Sequence, residues 1–434
     1  MSDLDTTLTW PTRVKHRAHA RCFTRVGHVK VEEHDAVGSV TRGIGIGLRS
    51  DGWGKNVSMR IAMLVHAFPV LSETFILRQI TGLIDRGHEI DIFAAANDAT
   101  GKVHPAVDEY RLLDRTYYRS WIREDYHLID RASYQSWLPA RSRAYSYDVI
   151  HCHFGPMGLT GAALRDAGLF AGALITSFYG FDLSSFPQKE GPDVYADLFR
   201  RGNLCTANSA FLVDKAVSLG CSTDKIVKLP VGLDLSAYIF RQRVHRRGEP
   251  IKVLTVGRFV EKKGIEYALR AVATVARKHP DLEYCIVGDG PLRGPLEDLI
   301  AELNLADTVR LVGWQAESAL QRLYDEASIF LLSSVTAQNG DQEGMGLVIL
   351  EAQAVGLPVL STQHDGIPEA VVDGQSAFLV PERDVDALAD RLTYLIEHPD
   401  IWPHMAQVGR AHVEDQYDIE VLNDRLAAIY REVV

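Results

Sequence analysis

Short apolar segments alternate with amphipathic segments over most of this chain. Starting at Arg60, the first cycle reads RIAMLVH, then ETFILRQITGLIDRG, then HEIDIFAA. A buried strand, a helix with one apolar face and a second buried strand explain this order, because helices connect parallel strands and cover the faces of their sheet. Gly87 follows Asp85 and Arg86, where the C-terminal cap of the helix is expected. The pattern therefore predicts an α/β protein with parallel sheets.

The alternation occurs in two regions that are separated by a polar stretch. In the first region, DVIHCH, ALITSF and KIVKLP are further predicted strands. Residues 236–250, SAYIFRQRVHRRGEP, interrupt the rhythm, and IKVLTVGRF, EYCIVGDG, VRLVGW, SIFLLSS and PVLST resume it. We predict two doubly wound, Rossmann-like domains, residues 59–235 and 251–400, joined by a linker at 236–250. Residues 401–434 are predicted to form amphipathic helices, one of which crosses back to the first domain.

The first 58 residues differ from the rest of the chain. They lack sustained helical or strand periodicity and contain the glycine-rich run RGIGIGLRSDGWG, whereas Met59 opens directly into the first predicted strand. One interpretation is that Met59 is the functional start. The alternative is a genuine but flexible extension.

Composition and charge exclude several classes of protein. A chain of 434 residues with 46% apolar content can bury a large core and exceeds the usual size of one domain. The net charge of -11 argues against a protein that coats nucleic acid. The 5 cysteines form neither a C-x-x-C pair nor a zinc-like spacing. No apolar stretch approaches the roughly 20 residues that span a bilayer, so we expect a cytoplasmic protein with at most peripheral membrane contact.

A loop, a helix and a turn are predicted between two strands of the second region. Residues 343–356 read EGMGLVILEAQAVG. Glu343 in the loop and Glu351 in the helix project into one cleft and can accept hydrogen bonds from sugar and ribose hydroxyls. The start of the helix offers unpaired backbone donors for a diphosphate, namely the N–H groups of Met345, Gly346 and Leu347. The alternative is a surface loop with a helix-cap glutamate and an exposed helical glutamate.

A basic loop follows the first strand of the second domain. Residues 256–264 read VGRFVEKKG, and open α/β sheets bind ligands at the C-terminal ends of their strands. Arg258 and Lys263 are therefore candidates to bind phosphates and the charge that develops on a departing nucleotide, with Gly257 in the same site. The alternative is a solvated basic loop in which Lys262 faces only solvent.

Together these motifs resemble those of a known family. GRFVEKKG, followed by VGDGP and EGMGLVILEAQAVGLPV, closely resembles the donor half of retaining glycosyltransferase family 4, including its E-x7-E pattern. In the first half, FPVLSETFILRQITGLIDRGHEIDIFA and HCHFG look like the colanic acid and amylovoran type enzymes that build bacterial exopolysaccharides. The resemblance covers residues 59–400, to within a few positions.

The resemblance implies the GT-B fold, in which two Rossmann-like domains face each other across a cleft. It implies that the first domain binds the acceptor and that the second binds a nucleoside diphosphate sugar. Carried over by position, Arg258 and Lys263 bind the diphosphate, Glu343 the donor sugar and Glu351 the ribose. A polyprenyl-diphosphate-linked acceptor, retention at the anomeric carbon and a reaction without a protein nucleophile are also implied, with no cofactor beyond the donor substrate.

The first domain departs from the family pattern. Tyr179-Gly180, with Asp182 soon after, stands where many members have His-Gly, and Leu71-Ser72-Glu73-Thr74 replaces a glycine-rich loop. Tyr179 either contacts the donor sugar or the acceptor, or is a packed aromatic. His151 and His153 alternate at a strand end and point to one side, but no carboxylate or cysteine completes a metal site around them. We favour a cleft position for His153, with a structural histidine as the alternative. The acceptor-side candidates are Glu73, His153, Tyr179 and Asp182.

Two further motifs suggest other chemistry only weakly. Asp384-Val385-Asp386 matches the D-x-D pattern that binds a metal in the second large glycosyltransferase fold, but it opens a predicted helix, so we assign Asp384 to the N-cap and expect no metal requirement. Gly288-Asp289-Gly290 follows a strand, but the dinucleotide fingerprint is incomplete. A hydride-transferring enzyme is therefore disfavoured.

Residues 111–147 bear on possible partners. Four arginines recur at every fourth position and would form one basic stripe on a helix, beside two tyrosines and a tryptophan. Such a face suits anionic lipid headgroups; the alternative is a solvated face paired with acidic residues. The residues concerned are Arg111, Arg115, Arg119, Arg123, Tyr117, Tyr118, Trp121, Asp114 and Glu124.

We therefore predict a glycosyltransferase that transfers a hexosyl-type unit from a nucleotide sugar to a lipid-linked saccharide. Two rivals differ in class. One is an epimerase or phosphorylase of GT-B fold, and the other is a catalytically degenerate scaffold that binds sugar nucleotides. The intact set of Arg258, Lys263, Glu343 and Glu351 argues against the scaffold.

Overall fold

A computed structural model of the chain describes residues 58–71, 73–97, 103–118, 146–246 and 248–434. Both interpretations of the first 58 residues concern a segment that, up to residue 57, lies outside the described residues. The described residues hold both predicted Rossmann-like regions.

Within these residues, the first domain has a parallel sheet of 7 strands in the order β3-β2-β1-β4-β5-β6-β7. The sheet is buried between helices, and every residue of β4 and β5 is buried. The strands are β1 (Arg60–Ala67), β2 (Glu89–Ala96), β3 (Thr116–Tyr118), β4 (Val149–His153), β5 (Ala173–Phe178), β6 (Leu204–Ala207) and β7 (Ile226–Lys228).

Helices cover both faces of this sheet. The first of them ends at Asp85, and Gly87 then adopts a left-handed backbone with φ of 82°, as the sequence predicted for a C-terminal cap. The helices are α1 (Thr74–Asp85), α2 (Pro105–Glu109), α3 (Gly155–Asp166), α4 (Ser185–Glu190), α5 (Ala196–Arg201) and α6 (Ala210–Ser218).

The second domain repeats the architecture with 6 parallel strands, in the order β10-β9-β8-β11-β12-β13. Its strands are β8 (Ile251–Val256), β9 (Leu282–Val287), β10 (Val309–Gly313), β11 (Ile329–Leu332), β12 (Val359–Thr362) and β13 (Ala377–Val380). Its helices are α7 (Ile265–Ala276), α8 (Arg293–Glu302), α9 (Glu317–Glu326), α10 (Leu347–Ala354), α11 (Ile367–Ala370) and α12 (Val385–Glu397). The predicted pair of doubly wound domains is confirmed.

The chain closes with α13 (Trp402–Gln416) and α14 (Ile419–Val433). The apolar side of α14 belongs to the same core cluster as that of α1, through Leu422, Leu426 and Tyr430. Tyr430 Oη also lies 2.6 Å from Nδ1 of His151, in the middle of β4. The last helix therefore crosses back and packs on the first domain.

Residues 111–118 do not form the helix on which the arginines would make one basic stripe. Leu112–Arg115 forms a single 3-10 turn, and Thr116–Tyr118 is the edge strand β3. A Thr-Tyr-Tyr run favours a strand when a neighbour is available, and β2 supplies that neighbour. Arg111 forms an ion pair with Asp114 at 2.7 Å, as the solvated alternative proposed. Arg119, Trp121, Arg123 and Glu124 lie outside the described residues.

Among the described helices, none combines the length and the apolar character that crossing a membrane requires.

Candidate active site

The segment after β11 forms the loop and helix that the glycines predicted. Gly346 has a φ of 75°, which favours glycine, and α10 begins at the next residue, Leu347. Met345 and Gly346 are buried as whole residues, whereas Leu347 is partly exposed. Glu343 precedes the positive, N-terminal end of α10 by a few residues.

Lys263 and Glu343 form an ion pair at the C-terminal edge of the second sheet. Their side chains are only 11% and 15% exposed. Burial raises the pKa of the Glu343 carboxyl, but the ammonium groups of Lys263 and Lys262 outweigh burial and hold that pKa below its usual value. Glu343 is thus a carboxylate at neutral pH. The Lys263 ammonium has three N–H donors, so two remain for a ligand.

All three residues of the Glu261-Lys262-Lys263 turn bind the loop between β11 and α10, with Lys263 on Glu343 and the other two on the residues before it. Oε1 of Glu261 accepts a hydrogen bond from the Gln338 amide at 2.9 Å. Nζ of Lys262 lies 3.1 Å from Oδ1 of Asp341 and 3.1 Å from the Gln342 carbonyl oxygen. The expectation that Lys262 faces only solvent is wrong, because its side chain is 12% exposed. Lys262 ties the loop to the turn.

Arg258 lies beyond the end of β8, next to Gly257. Its side chain is exposed and makes no ion pair or hydrogen bond within the described part of the chain. Gly257 packs against the Lys263 side chain, and a Cβ on this glycine would lie 3.4 Å from Lys263 Cδ. Arg258 therefore presents an exposed guanidinium, on the same loop as Lys263, that an anion can reach from solvent.

Glu351 is held by two tyrosines that the sequence analysis did not identify. Tyr324 Oη donates to Oε2 of Glu351 at 2.8 Å, and the phenol of Tyr238 also bonds to this carboxylate. Burial raises the pKa of the Glu351 carboxyl, and the two phenols oppose that rise. A carboxylate accepts up to about four hydrogen bonds, so capacity for ribose hydroxyls remains. Nothing in the pattern around Tyr238, in the linker, indicates this role.

Tyr179 is a packed aromatic whose hydroxyl also has polar partners. Its ring centroid lies 4.7 Å from that of Phe75 and 4.9 Å from that of Phe154. Its hydroxyl lies 2.8 Å from Nδ1 of His153. His153 is fully buried, and burial lowers its pKa well below the ordinary value. In this structure Tyr179 is therefore a packed aromatic and His153 a structural histidine, which are the alternatives given for these two residues above.

The acceptor-side assignment of Asp182 is wrong. Its side chain is fully buried, and its carboxylate accepts backbone hydrogen bonds from Gly155 at 3.0 Å, Tyr179 at 3.1 Å and Gly180 at 2.8 Å. Those donors hold the turn after β5 to the start of α3. Asp182 shapes this turn and has no exposed surface for an acceptor.

Glu73 directly precedes α1 but does not cap it through its side chain. It lines a narrow, mainly apolar pocket with Phe68, Leu71 and Leu77. Its negative charge contributes to the raised pKa of Tyr179, for which burial is the main cause. Of the first-domain candidates, Glu73 is the partly exposed carboxylate near Tyr179.

The two domains meet at the loop that carries Glu343. A Cβ on Gly344 would lie 2.0 Å from the carbonyl oxygen of Tyr179, and one on Gly180 would lie 3.4 Å from the Gly344 nitrogen. Only glycine at position 344 permits this approach. The loop that carries Glu343 in the second domain and the turn after β5 of the first domain therefore pack closely against each other.

The described residues contain no group of three or more His, Cys, Asp or Glu side chains arranged to hold a metal ion. The Asp384 carboxylate accepts a hydrogen bond from the Ala387 amide at 2.9 Å and caps α12, as predicted.

Two family profiles match the two domains in turn. Residues 72–237 match a profile described as Glycosyltransferase Family 4, and residues 238–412 match one described as Glycosyl transferases group 1. The boundary between the matches falls at the start of the linker, so the profiles divide the chain where the sheets do.

Curated relatives match over nearly their whole length. The chain is 32% identical to the putative colanic acid biosynthesis glycosyltransferase WcaL of Salmonella typhimurium, over 86% of this chain and 100% of the relative. It is 32% identical to the amylovoran biosynthesis glycosyltransferase AmsK of Erwinia amylovora, over 86% of this chain and 99% of the relative.

Solved structures share the fold. The Anabaena protein HepE, in its complex with UDP-glucose, aligns with a TM-score of 0.69 at 20% identity, covering 86% of this chain and all of that one. The sucrose-phosphate synthase of Thermosynechococcus elongatus aligns with a TM-score of 0.69 at 22% identity, covering 86% and 99%. With its two profile matches, its full-length relatives and this fold, the chain belongs to glycosyltransferase family 4, beside the glycosyltransferases of colanic acid and amylovoran biosynthesis.

Proposed function

We propose that this glycosyltransferase moves a sugar from a nucleoside diphosphate sugar to a saccharide carried on polyprenyl diphosphate, during exopolysaccharide assembly and with retention of anomeric configuration. The observation that carries the donor assignment is the largely buried Lys263–Glu343 ion pair at the C-terminal edge of the second sheet, with the exposed Arg258 on the same loop as Lys263. The names of the relatives support the pathway.

The donor is expected to lie along the C-terminal edge of the second sheet. Arg258, Lys263 and the N-terminus of α10 are the groups expected to bind the diphosphate, because cations and the positive end of a helix dipole attract phosphate oxygens. Glu343 accepts hydrogen bonds from sugar hydroxyls, and Glu351 accepts them from the ribose. The UDP-glucose complex of HepE, a protein of the same fold, supports this class of donor.

The acceptor is expected to approach from the first domain. Glu73 is the candidate to bind an acceptor hydroxyl, whereas His153 and Tyr179 shape the wall behind it. Membrane contact is expected near β3, where Leu113 is 46% and Tyr118 is 37% exposed. Arg115, in the turn before β3, adds positive charge for anionic headgroups.

The proposed chemistry needs no protein nucleophile. The bond between the anomeric carbon and the diphosphate oxygen breaks, and the acceptor oxygen bonds to the anomeric carbon on the same face. The proton of the acceptor hydroxyl passes to the departing diphosphate oxygen. Arg258 and Lys263 stabilise the negative charge on that diphosphate most strongly as the bond breaks. We expect these two cations to suffice without a metal.

The test is a transfer assay with purified protein, a panel of UDP-, GDP- and ADP-sugars, EDTA, and polyprenyl-diphosphate saccharides extracted from an exopolysaccharide-producing bacterium. Mass spectrometry should show one added glycosyl residue on the lipid-linked saccharide, and NMR should show the anomeric configuration of the donor. Epimerised donor, or chain cleavage that depends on phosphate, would instead identify the epimerase or phosphorylase. Inverted product would refute the mechanism but leave the donor site standing.

A further inference from the structure

A fully buried histidine, His364, contacts the backbone of Glu343. His364 follows β12, and its Nε2 accepts a hydrogen bond from the backbone N–H of Glu343 at 3.1 Å. Its Nδ1 lies 2.5 Å from Oε1 of Glu382, which follows β13. His364 thus joins the loop that carries the sugar-binding carboxylate to the end of the neighbouring strand.

The hydrogen bonds define which nitrogen carries the proton. Because the Glu343 amide donates to Nε2, that nitrogen offers its lone pair, and the proton of the neutral ring is on Nδ1. Glu382 accepts a hydrogen bond from this Nδ1–H group, which fixes both the tautomer and the orientation of the ring. The pKa of Glu382 is below its usual value: burial raises it, and the Thr336 amide, with His364, outweighs burial.

Glu382 is itself held in place. Its Oε2 accepts from the backbone N–H of Thr336 at 2.9 Å and from Arg383 at 3.1 Å. Thr336 lies in the same loop as Glu343, between β11 and α10. The His364–Glu382 pair therefore holds this loop at two points.

Asp365 is a second acceptor near the ring. Its Oδ2 lies 3.2 Å from Nε2 of His364, and its Oδ1 accepts from Nε2 of Gln342 at 3.3 Å. Two acceptors that face each other repel, so an ionised Asp365 is unfavourable beside the Nε2 lone pair. Burial raises the pKa of Asp365 to about 6, in the direction that relieves this repulsion.

We infer that His364, oriented by Glu382, is a positioning residue that sets the Glu343 carboxylate for the sugar of the donor. His364 is fully buried and does not reach the substrate itself. It acts through the backbone amide of Glu343, the same residue whose side-chain carboxylate binds Lys263. This inference rests on the proposed role of Glu343 in binding the donor sugar.

Two conservative substitutions separate the contacts of the ring. The amide of glutamine reaches the position of Nε2, so His364→Gln keeps an acceptor for the Glu343 amide. The amide of asparagine reaches only the position of Nδ1, so His364→Asn keeps the Glu382 contact and loses the other. His404→Asn, at an exposed histidine of α13, is the matched control.

The measurement compares the Kd of UDP-glucose with that of UDP, and of GDP-mannose with that of GDP, for the parent and the three variants. In His364→Asn the affinity for the sugar nucleotide should fall about 10-fold, since small displacements of a binding group have large effects, with little change for the nucleotide alone. In His364→Gln the change in the logarithm of the Kd should be no more than half of the change in His364→Asn. Equal losses for sugar nucleotide and nucleotide, or equal losses in both variants, would overturn the inference.

Hydrogen exchange separates failure of this inference from failure of the proposed function. If the parent binds none of the four probes, the donor assignment fails for those sugars. Exchange of the peptide that spans 343–346 then decides whether His364 holds the loop. Faster exchange in His364→Asn than in His364→Gln supports that contact, and identical exchange refutes it.

Discussion

Glu369 and Lys228 form an ion pair between the two domains, with 3.0 Å between Oε2 of the carboxylate and Nζ of the lysine. The other carboxylate oxygen of Glu369 accepts from the backbone N–H groups of Ala210 at 2.7 Å and Phe211 at 3.3 Å. These are the first two residues of α6. A side chain of the second domain therefore caps a helix of the first.

Glu369→Ala should weaken the association of the domains. The lost cap costs about 1 kcal/mol, and the partly exposed ion pair adds little. We expect kcat/KM to fall about 5-fold, because a smaller fraction of the molecules has a closed cleft. This factor corresponds to a free-energy change of about 1 kcal/mol. Steady-state kinetics and small-angle scattering check this, with Glu302→Ala, at an exposed glutamate of α8, as control. An unchanged radius of gyration and unchanged kinetics would mean that the contact does not hold the domains together.

Gly344→Ala should prevent the cleft from closing. Its added Cβ would lie 2.0 Å from the backbone oxygen of Tyr179, which a side-chain rotation cannot relieve. Activity should fall by more than about 10-fold, while the thermal stability of each domain changes little, because the clash is between domains. Gly294→Ala is the control, since a Cβ there meets nothing within 4 Å. Full activity in Gly344→Ala would show that this close approach is not needed for turnover.

Lys263 and Lys262 should differ in function although they are adjacent. Lys263→Ala removes a cation from the departing diphosphate, so kcat should fall about 10² to 10³-fold. Lys262→Ala removes the tether to Asp341 and the Gln342 carbonyl, so it should mainly raise the KM for the donor. Initial rates over a range of donor concentrations separate the two, with the exposed Lys278→Ala as control. Loss of kcat in Lys262→Ala equal to that in Lys263→Ala would contradict the distinction.

Stability should decline as the pH falls below about 6.5, the ordinary pKa of histidine. Burial lowers the pKa of His151 to about 3 and that of His153 well below its ordinary value. Both rings therefore stay neutral when folded, whereas the unfolded chain takes up protons. Their contribution to the free energy of unfolding is complete above pH ~6.5 and is lost progressively as the pH falls toward the pKa values of the folded state.

Asp365 opposes this decline, because its pKa is raised to about 6 and the folded chain binds that proton first. Between pH 7 and 5.5 the free energy of unfolding should fall by about 1 to 2 kcal/mol on balance. Urea unfolding at both pH values measures it, and Asp365→Asn should steepen the decline. A free energy that rises toward pH 5.5 would show that the buried histidines do not dominate.

The sequence was sufficient for most strands, but not for β6, which reads LCTA, or for β13, which reads AFLV. Strands β11 and β12 are equally short but flank the EGMGLVILEAQAVG segment, whereas no comparable segment marks β6 or β13, and four residues alone give too little periodicity to separate a strand from a loop. The loop and helix start at Gly346 were predictable, since a glycine with a small neighbour before an apolar run indicates a helix N-terminus.

The residues that hold the site together could not be predicted. Tyr238, His364 and Glu369 are each far along the chain from the groups they bind, and their roles depend on how the strands and domains bring them together. Asp182 was misassigned for the same reason: its position after β5 suggested the cleft, but three backbone N–H groups turn its carboxylate inward.

Donor titration with EDTA present, against UDP-glucose, GDP-mannose and ADP-glucose, tests the central claim most directly. The variant is Arg258→Ala, which removes an exposed guanidinium that has no ion pair or hydrogen bond among the described residues, and the control is Arg277→Ala, directly after α7. We predict that the parent and Arg277→Ala bind one of the donors without metal and that Arg258→Ala binds it at least about 10-fold more weakly. Absence of binding to every donor, or equal binding by Arg258→Ala, would contradict the donor site described here.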